Sequence, residues 1–199
     1  MRVIVIGATG TIGKAVAQAL SARHEVVRVG NTGGDFQVDL ASSASIQKLY
    51  AAVGRCDAIV SAAGNAAFGP LEKLTDQDFR LGLDNKLMGQ VNLVRFGIAS
   101  LRDQGSFTLT SGILSREPMP GGSALSLVNG ALEAFARAAA LDLPRGLRVN
   151  VVSPPWVRET MEIMKMDSSS GMPAARVAAA YVASVEGKQT GETLDARRF

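Results

Sequence analysis

Short apolar runs rich in β-branched residues alternate along the chain with stretches whose apolar positions recur every three or four residues. Arg2–Ile6 reads as a buried strand and Lys14–Ala22 as a helix with Val16, Ala17 and Leu20 on one face. Glu25–Val29 is a second strand and Phe36–Leu40 a short third. Ser45–Val53 reads as a helix, and Ala58–Ser61 as a fourth strand entering the small-residue turn Ala62-Ala63-Gly64. A long helical region covers Thr75–Leu101, broken or bent near Gly82. Ser106–Ser111 is a strand, Ala124–Leu143 an alanine-rich helix and Arg148–Ser153 another strand. Pro173–Val185 is helical, with the proline in the first turn where its missing N–H costs little, and Glu192–Leu194 is a short last strand. This alternation predicts an α/β fold: a Rossmann-like doubly wound parallel sheet in three α/β/α layers, a single domain over residues 1–199. The one loose stretch is Met161–Met172, which holds four methionines and the run Asp167-Ser168-Ser169-Ser170-Gly171.

Gly7-Ala8-Thr9-Gly10-Thr11-Ile12-Gly13 stands between the first strand and the first helix. A diphosphate needs backbone N–H groups, a helix N-terminus and no side chains in its way. Gly7 permits a sharp exit from the strand, Gly10 lets the backbone approach a pyrophosphate, and Gly13 lets helix and sheet pack closely. The spacing is GxxGxxG, and its context predicts a nicotinamide dinucleotide bound on this turn. An acid at the end of the second strand would bond the 2′-hydroxyl of NAD. This chain has Val29-Gly30-Asn31-Thr32 there, and Asp35 comes late. A 2′-phosphate therefore meets no repulsion, and Lys14 supplies charge; Arg28 either helps or is structural. NADP is the preferred cofactor, with NAD possible.

Hydrophobic residues are 47% and charged residues 20% of the chain, enough for a sizeable core in 199 residues. The net charge is +3, but Lys and Arg are scattered, and the densest cluster is the pair Arg197–Arg198. A nucleic-acid footprint needs a stripe of positive charge, so no nucleic-acid partner is expected. One cysteine, Cys56, excludes an internal disulfide, and one histidine, His24, excludes a histidine cluster, so no metal is expected. No signal peptide opens the chain and no apolar run approaches the length of a membrane span, so a cytoplasmic protein without membrane contact is expected.

The chain resembles a short-chain dehydrogenase/reductase in seven pieces that keep the family's order. They are Gly7–Gly13, Asp39-Leu40, Ser61-Ala62-Ala63-Gly64, Thr110-Ser111-Gly112, the helix segment from Asn129 to Phe135, Val152-Ser153-Pro154-Pro155, and Thr190-Gly191-Glu192. The resemblance implies that Asp39, with Leu40, meets the adenine, that Ala62, Ala63 and Gly64 line the cofactor, and that Pro154 and Pro155 cover the nicotinamide. The second proline replaces the family's usual glycine. The family's serine is matched by Ser111. Its tyrosine, and the lysine four residues later, fall on Leu125 and Asn129, so phenol and ammonium are both missing there. The other tyrosines, Tyr50 and Tyr181, lie on helices away from the carboxyl ends of the strands, and His24 reads as a surface histidine at the opposite edge. The family's asparagine on the preceding helix falls on Lys86 when counted from Gly89, or on Asn85 when matched by residue type. If it is Lys86, lysine and asparagine have exchanged helices, and Lys86 would supply positive charge beside the nicotinamide ribose; otherwise it is a solvated helix lysine.

The resemblance makes residues 156–177 a lid over the substrate. Met161, Met164, Met166 and Met172 offer soft apolar surface there, although Met161 and Met164 at i, i+3 equally fit plain helix packing. Ser168–Gly171 is a hinge or loop tip, and Phe68 and Met119 are candidates to line a pocket for an apolar substrate. The small residues Ala136, Ala138, Ala139 and Ala140 either admit a partner helix or face the sheet; relatives pair their two long helices, which implies a homodimer or homotetramer. Two functional readings fit these residues. One is an NADP-dependent oxidoreductase acting on a carbonyl or alcohol, with Ser111 polarising the substrate oxygen. The other is a dinucleotide-binding sensor or scaffold without turnover.

Overall fold

The β-branched runs all enter one sheet, in the computed structural model that describes residues 1–199. Its strands are β1 (Arg2–Ile6), β2 (Glu25–Gly30), β3 (Phe36–Gln37), β4 (Cys56–Ser61), β5 (Leu101–Thr110), β6 (Arg148–Ser153) and β7 (Thr193–Asp195). They lie in the order β3-β2-β1-β4-β5-β6-β7, and every neighbouring pair is parallel. The chain winds outward from β1 to β3 and returns to β4 on the other side of β1. The point where the winding reverses therefore lies between β1 and β4, where connections leave in opposite directions and open a crevice at the carboxyl ends.

The pleat sends alternate residues to opposite layers. Ile4, Ile6, Ile59, Phe107 and Leu109 pack under α2 (Ser43–Val53), α4 (Met88–Gly97) and α5 (Ser123–Asp142). Val3, Val5, Ala58 and Val60 pack under α1 (Thr11–Ser21) and α7 (Ala174–Glu186). Both faces are covered, which is why the strands read as near-continuous apolar runs. The three-layer doubly wound sheet is the predicted fold.

Several boundaries differ from expectation. The helix expected from Lys14 begins at Thr11, directly after Gly10, so the glycine turn is itself the helix N-terminus. The third strand keeps only Phe36–Gln37, because the chain must then turn inward to bury Val38 and Leu40. The region Thr75–Leu101 is three pieces: α3 (Asp76–Arg80), a π-turn over Leu81–Leu87, and α4, which stops at Gly97. Leu101 instead opens β5, paired with Cys56. Gly82 sits in the π-turn where an added Cβ would lie 3.1 Å from Val128 Cγ1, so the glycine lets the turn press on α5. Pro173 precedes α7 as its cap residue rather than lying in its first turn. Within the stretch expected to be loose, Arg158–Ile163 forms the short helix α6 and Val157 bridges Met172. There Met161 is buried while Met164 stays exposed, so helix packing accounts for only the first.

α5 is long and apolar enough to cross a membrane by length and composition, contrary to the expectation that no run approaches that length. Its stripe Ala124, Val128, Leu132 and Ala136 is instead buried inside the domain. Ala136, Ala139 and Ala140 pack with the core and Ala138 is exposed, so most of the alanine run serves the sheet.

The tightest contact is between helix and strand at the glycine turn. A Cβ on Gly13 would lie 1.9 Å from the Gly7 carbonyl oxygen. Gly13→Ala is expected to cost about 1–3 kcal/mol, the usual range for overpacking, read as a lower urea midpoint in chemical denaturation.

Candidate functional site

A cavity of about 450 Å³ opens over the crevice between β1 and β4. The glycine turn supplies Gly7, Thr9, Gly10, Thr11 and Ile12 to its wall. The segment after β2 and β3 supplies Asn31, Asp39 and Leu40, and the turn after β4 supplies Ala62, Ala63 and Gly64. Gly13 lies outside the lining and acts as expected, in helix–strand packing. Ile6, Gly30, Val38, Asn65, Asn85 and Thr160 complete the wall; Asn85 is the residue that matching by type offered for the family's asparagine, and Thr160 lies in the segment expected as a lid. Asn85 is placed by its Oδ1, which accepts from the Asn65 N–H at 2.9 Å.

The turn is shaped for an anion. Gly7 has φ +84°, and a Cβ there would lie 2.6 Å from the Ala62 carbonyl oxygen, so glycine alone brings β1 and the β4 turn this close. Gly10 precedes α1 in extended conformation, and no side chain caps the helix. The first-turn N–H groups are left as donors at the positive end of the helix. A Cβ on Gly10 would meet only the Gly7 oxygen at 3.4 Å, so the backbone face above it is open. These residues fit a dinucleotide diphosphate.

Thr9 also lines a second cavity of about 470 Å³, with Lys14, Gln18, Ser21 and Arg28 around it. Lys14 and Arg28 are both exposed cations lining this second cavity, which shares Thr9 with the first. Asp35, the nearest acid after β2, is turned away: its Oδ2 accepts from the Arg28 backbone N–H at 2.9 Å. Asp39 lines the main cavity, and its Oδ1 accepts from the Ala41 N–H.

At the end of β5 a cluster of buried polar groups grips the Ser111–Gly112 peptide. Lys86 is 8% exposed, not solvated, because the π-turn carries it inward. Its Nζ donates to the Ser111 carbonyl oxygen at 3.1 Å, and its stem passes Gly64, where a Cβ would meet Lys86 Cγ at 2.8 Å. Burial alone pulls its pKa down from 10.5 to about 8. Asn129 is buried, its Oδ1 has no partner, and its Nδ2 lies 2.9 Å from where a Gly112 Cβ would stand. Ser111 is also buried, but its hydroxyl donates to Glu133 Oε1 at 2.9 Å. A hydroxyl has one proton, so the expected donation from Ser111 to a substrate oxygen is not made in this arrangement. Glu133, a buried carboxylate that sequence reasoning missed, also accepts from the Ser115 hydroxyl at 2.7 Å and lies 3.5 Å from Arg116. Its spacing four residues after Asn129 on one helix was the available signal. Gln90 closes the cluster: its side-chain amide pairs with both the N–H and the carbonyl of Thr110.

Both tyrosines have their protons committed, although Tyr181, expected away from the carboxyl ends of the strands, reaches Thr110 at the end of β5 because α7 packs over that end. Tyr50 donates to the Leu93 carbonyl, and Tyr181 is paired with Thr110 Oγ1, whose own proton goes to the Ser61 carbonyl. Burial pushes both phenols up, so neither serves as an acid near neutral pH. His24 lies on the far side of the sheet, as expected, but it is not a surface histidine. Its side chain is 9% exposed and its Nε2 is 2.8 Å from Glu186, because the start of β2 tucks under the end of α7. Pro154 and Pro155 lie outside the cavity wall; the Pro154 carbonyl accepts from the Ile113 N–H, which ties the β6 loop to the β5 loop. Phe68 meets Trp156 edge-on with ring centroids 6.1 Å apart, and Met119 packs where a Gly122 Cβ would stand.

The lowered Lys86 pKa has a stability consequence. Between about pH 8 and 10.5 the unfolded chain holds a proton on this lysine that the folded chain has lost, so this lysine makes stability rise with pH across that window. Lys86→Met is expected to be more stable than the wild type at pH 7, by on the order of 3 kcal/mol, with the gap closing toward pH 10.5 in urea denaturation.

Comparison with known proteins agrees with this architecture. The family model described as enoyl-(acyl carrier protein) reductase matches residues 2–189. Among solved structures, a protein of Listeria innocua is 45% identical, with TM-score 0.94 and 98% of each chain covered. A small-chain dehydrogenase solved in complex with NADPH is 25% identical, with TM-score 0.88, covering 98% of this chain and 95% of the other. Among curated relatives, an uncharacterized oxidoreductase of Methylorubrum extorquens is 26% identical over 96% of this chain and 85% of its own length. A hydroxynaphthalene reductase of Aspergillus fumigatus is 28% identical over 75% of this chain, but only 56% of that protein is spanned. The family match over almost the whole chain, joined to the strand order and the glycine turn, makes this protein a member of the short-chain dehydrogenase/reductase family of oxidoreductases.

Proposed function

We propose that the protein is an NADP(H)-dependent oxidoreductase that acts on a carbonyl or alcohol substrate. The observation that carries the reading is the glycine-turn cavity at the switch point, which shares the lining residue Thr9 with a second cavity bearing Lys14 and Arg28. Gly7, Thr9, Gly10, Thr11 and Ile12 hold the diphosphate, Asp39 and Leu40 border the adenine, and Asn31 leaves space beside the 2′ position. Ala62, Ala63 and Gly64 line the nicotinamide half, and Pro154-Pro155 anchors the loop beyond it. A bound nicotinamide supplies or takes up a hydride. The chain's part is to orient the two reactants and exclude water between them.

The substrate lies on the side bounded by residues 156–177. Thr160 of α6 already lines the dinucleotide cavity, and Phe68 and Trp156, packed edge-on, with Met119 beside Gly122, offer apolar surface from the loops and the start of that segment. An apolar carbonyl compound suits that surface. The oxidoreductase names of the relatives support turnover over a sensor role. The outer face of α5, with Leu127 and Leu141 exposed among alanines, suits pairing of two copies as a homodimer or, with a further interface, a homotetramer.

Fluorescence titration with NADPH and NADH, then NADPH oxidation against a panel of apolar aldehydes and ketones, tests the reading. Saturable NADPH binding and oxidation with at least one compound are expected; a protein that binds neither nucleotide overturns it. Lys14→Ala and Arg28→Ala are each expected to weaken NADPH roughly tenfold while leaving NADH unchanged, as loss of a charge-assisted contact requires. Because both cations are exposed, the preference should shrink as salt rises.

A further inference from the structure

The least expected group in the molecule is a buried lysine in a π-turn. Lys86 lies behind the wall of the dinucleotide cavity, next in sequence to the lining Asn85, its stem against the lining Gly64 and its Nζ on the Ser111 carbonyl. An ammonium carries three protons, and this one has a single acceptor. At the same Ser111–Gly112 turn, Asn129 packs against Gly112, and its Oδ1 is buried without a partner. Buried polar groups are ordinarily satisfied, so spare donors and an orphan acceptor at one turn mark a place for a missing polar partner. Glycine at 64 and at 112 keeps side chains out of it: a Cβ at either position would run into Lys86 or Asn129. Ser111 and both tyrosines have their protons committed, which leaves Lys86 as the donor at this end of the sheet.

We propose that Lys86 is the acid that protonates the substrate carbonyl oxygen, with Asn129 Oδ1 holding the resulting hydroxyl. The proposal rests on the oxidoreductase reading above. In the reduction, the carbonyl carbon gains the hydride furnished by a reduced nicotinamide, and the C=O π electrons take the proton from the Lys86 ammonium. A C–H and an O–H bond form, the nicotinamide is oxidised, and the neutral amine regains its proton from water. The acid is matched to neutral pH by burial, which holds the ammonium near pKa 8. The charged groups on neighbouring elements are Asp84 on its own turn, Asp78 and Arg80 on α3, Arg95 on α4, and Glu133 on α5 with Arg116 beside it. None of them contributes to the shift, whose sole cause is desolvation.

The test uses the full-length protein labelled with ¹³Cε-lysine. It has six lysines, and Lys86→Met assigns the Lys86 resonance by its loss. Lys86 is expected to titrate near pH 8, and its midpoint in the NADP⁺ complex should fall below that in the NADPH complex by about half a pH unit or more, since the oxidised ring is a cation. Lys86→Met should keep NADPH affinity within about threefold while single-turnover NADPH oxidation with a carbonyl compound falls roughly 100-fold, the scale of lost general-acid catalysis. An ordinary lysine midpoint, or one that ignores the redox state of the cofactor, overturns the proposal, as does full single-turnover activity in Lys86→Met. If the wild type binds both nucleotides and Lys86 does not respond, this proposal alone falls. If it binds neither, the oxidoreductase reading falls first and takes the proposal with it. Should Lys86→Met fail to fold, Lys86→Gln serves for both assignment and turnover.

Discussion

The close approach of α1 to the end of β1 is the constraint on which the rest of the molecule depends. Gly13 sits against the Gly7 carbonyl with no room for a Cβ, and Gly7 itself sits against the Ala62 carbonyl with none either. Two glycines therefore bring together the helix N-terminus, the exit of the central strand and the turn after β4. Because β1 is central in the winding, that junction falls at the reversal point, where the crevice is open. An uncapped helix end, a positive dipole and an accessible backbone then meet at one place, which suits a diphosphate with few charged side chains.

A second junction, at the end of β5, is built on opposite principles. There the backbone is gripped by buried polar side chains: Gln90 on Thr110, Lys86 on the Ser111 carbonyl, and Glu133 on the Ser111 hydroxyl. Each such group costs desolvation unless it is paired, so the cluster has few satisfactory arrangements and holds the loop in one of them. The π-turn is part of the same design. Its looser winding rotates Lys86 toward the sheet and leaves the Lys86 carbonyl to accept from Gln90 Nε2 at 3.2 Å. The two junctions share Gly64, which lines the cavity and leaves room for the Lys86 stem.

The apolar rhythm along the chain determined the layer order, the strand list and the place of the glycine turn. These depend on local periodicity and on glycine spacing, both of which are written in consecutive residues. Asn31, Asp39, Leu40 and Ala62 through Gly64 also reach the cavity as the sequence led one to expect, since parallel strands deliver their C-terminal loops to the same edge. The tertiary structure decided what the side chains near the reaction end do. Whether Lys86 is solvated or buried turns on a π-turn that no propensity signals. Whether the Ser111 proton is free turns on Glu133, 22 residues away. His24 looked like a surface group until α7 packed over it. Hydrogen-bond partners and desolvation are properties of residues brought together from different elements, so only the folded chain assigns them.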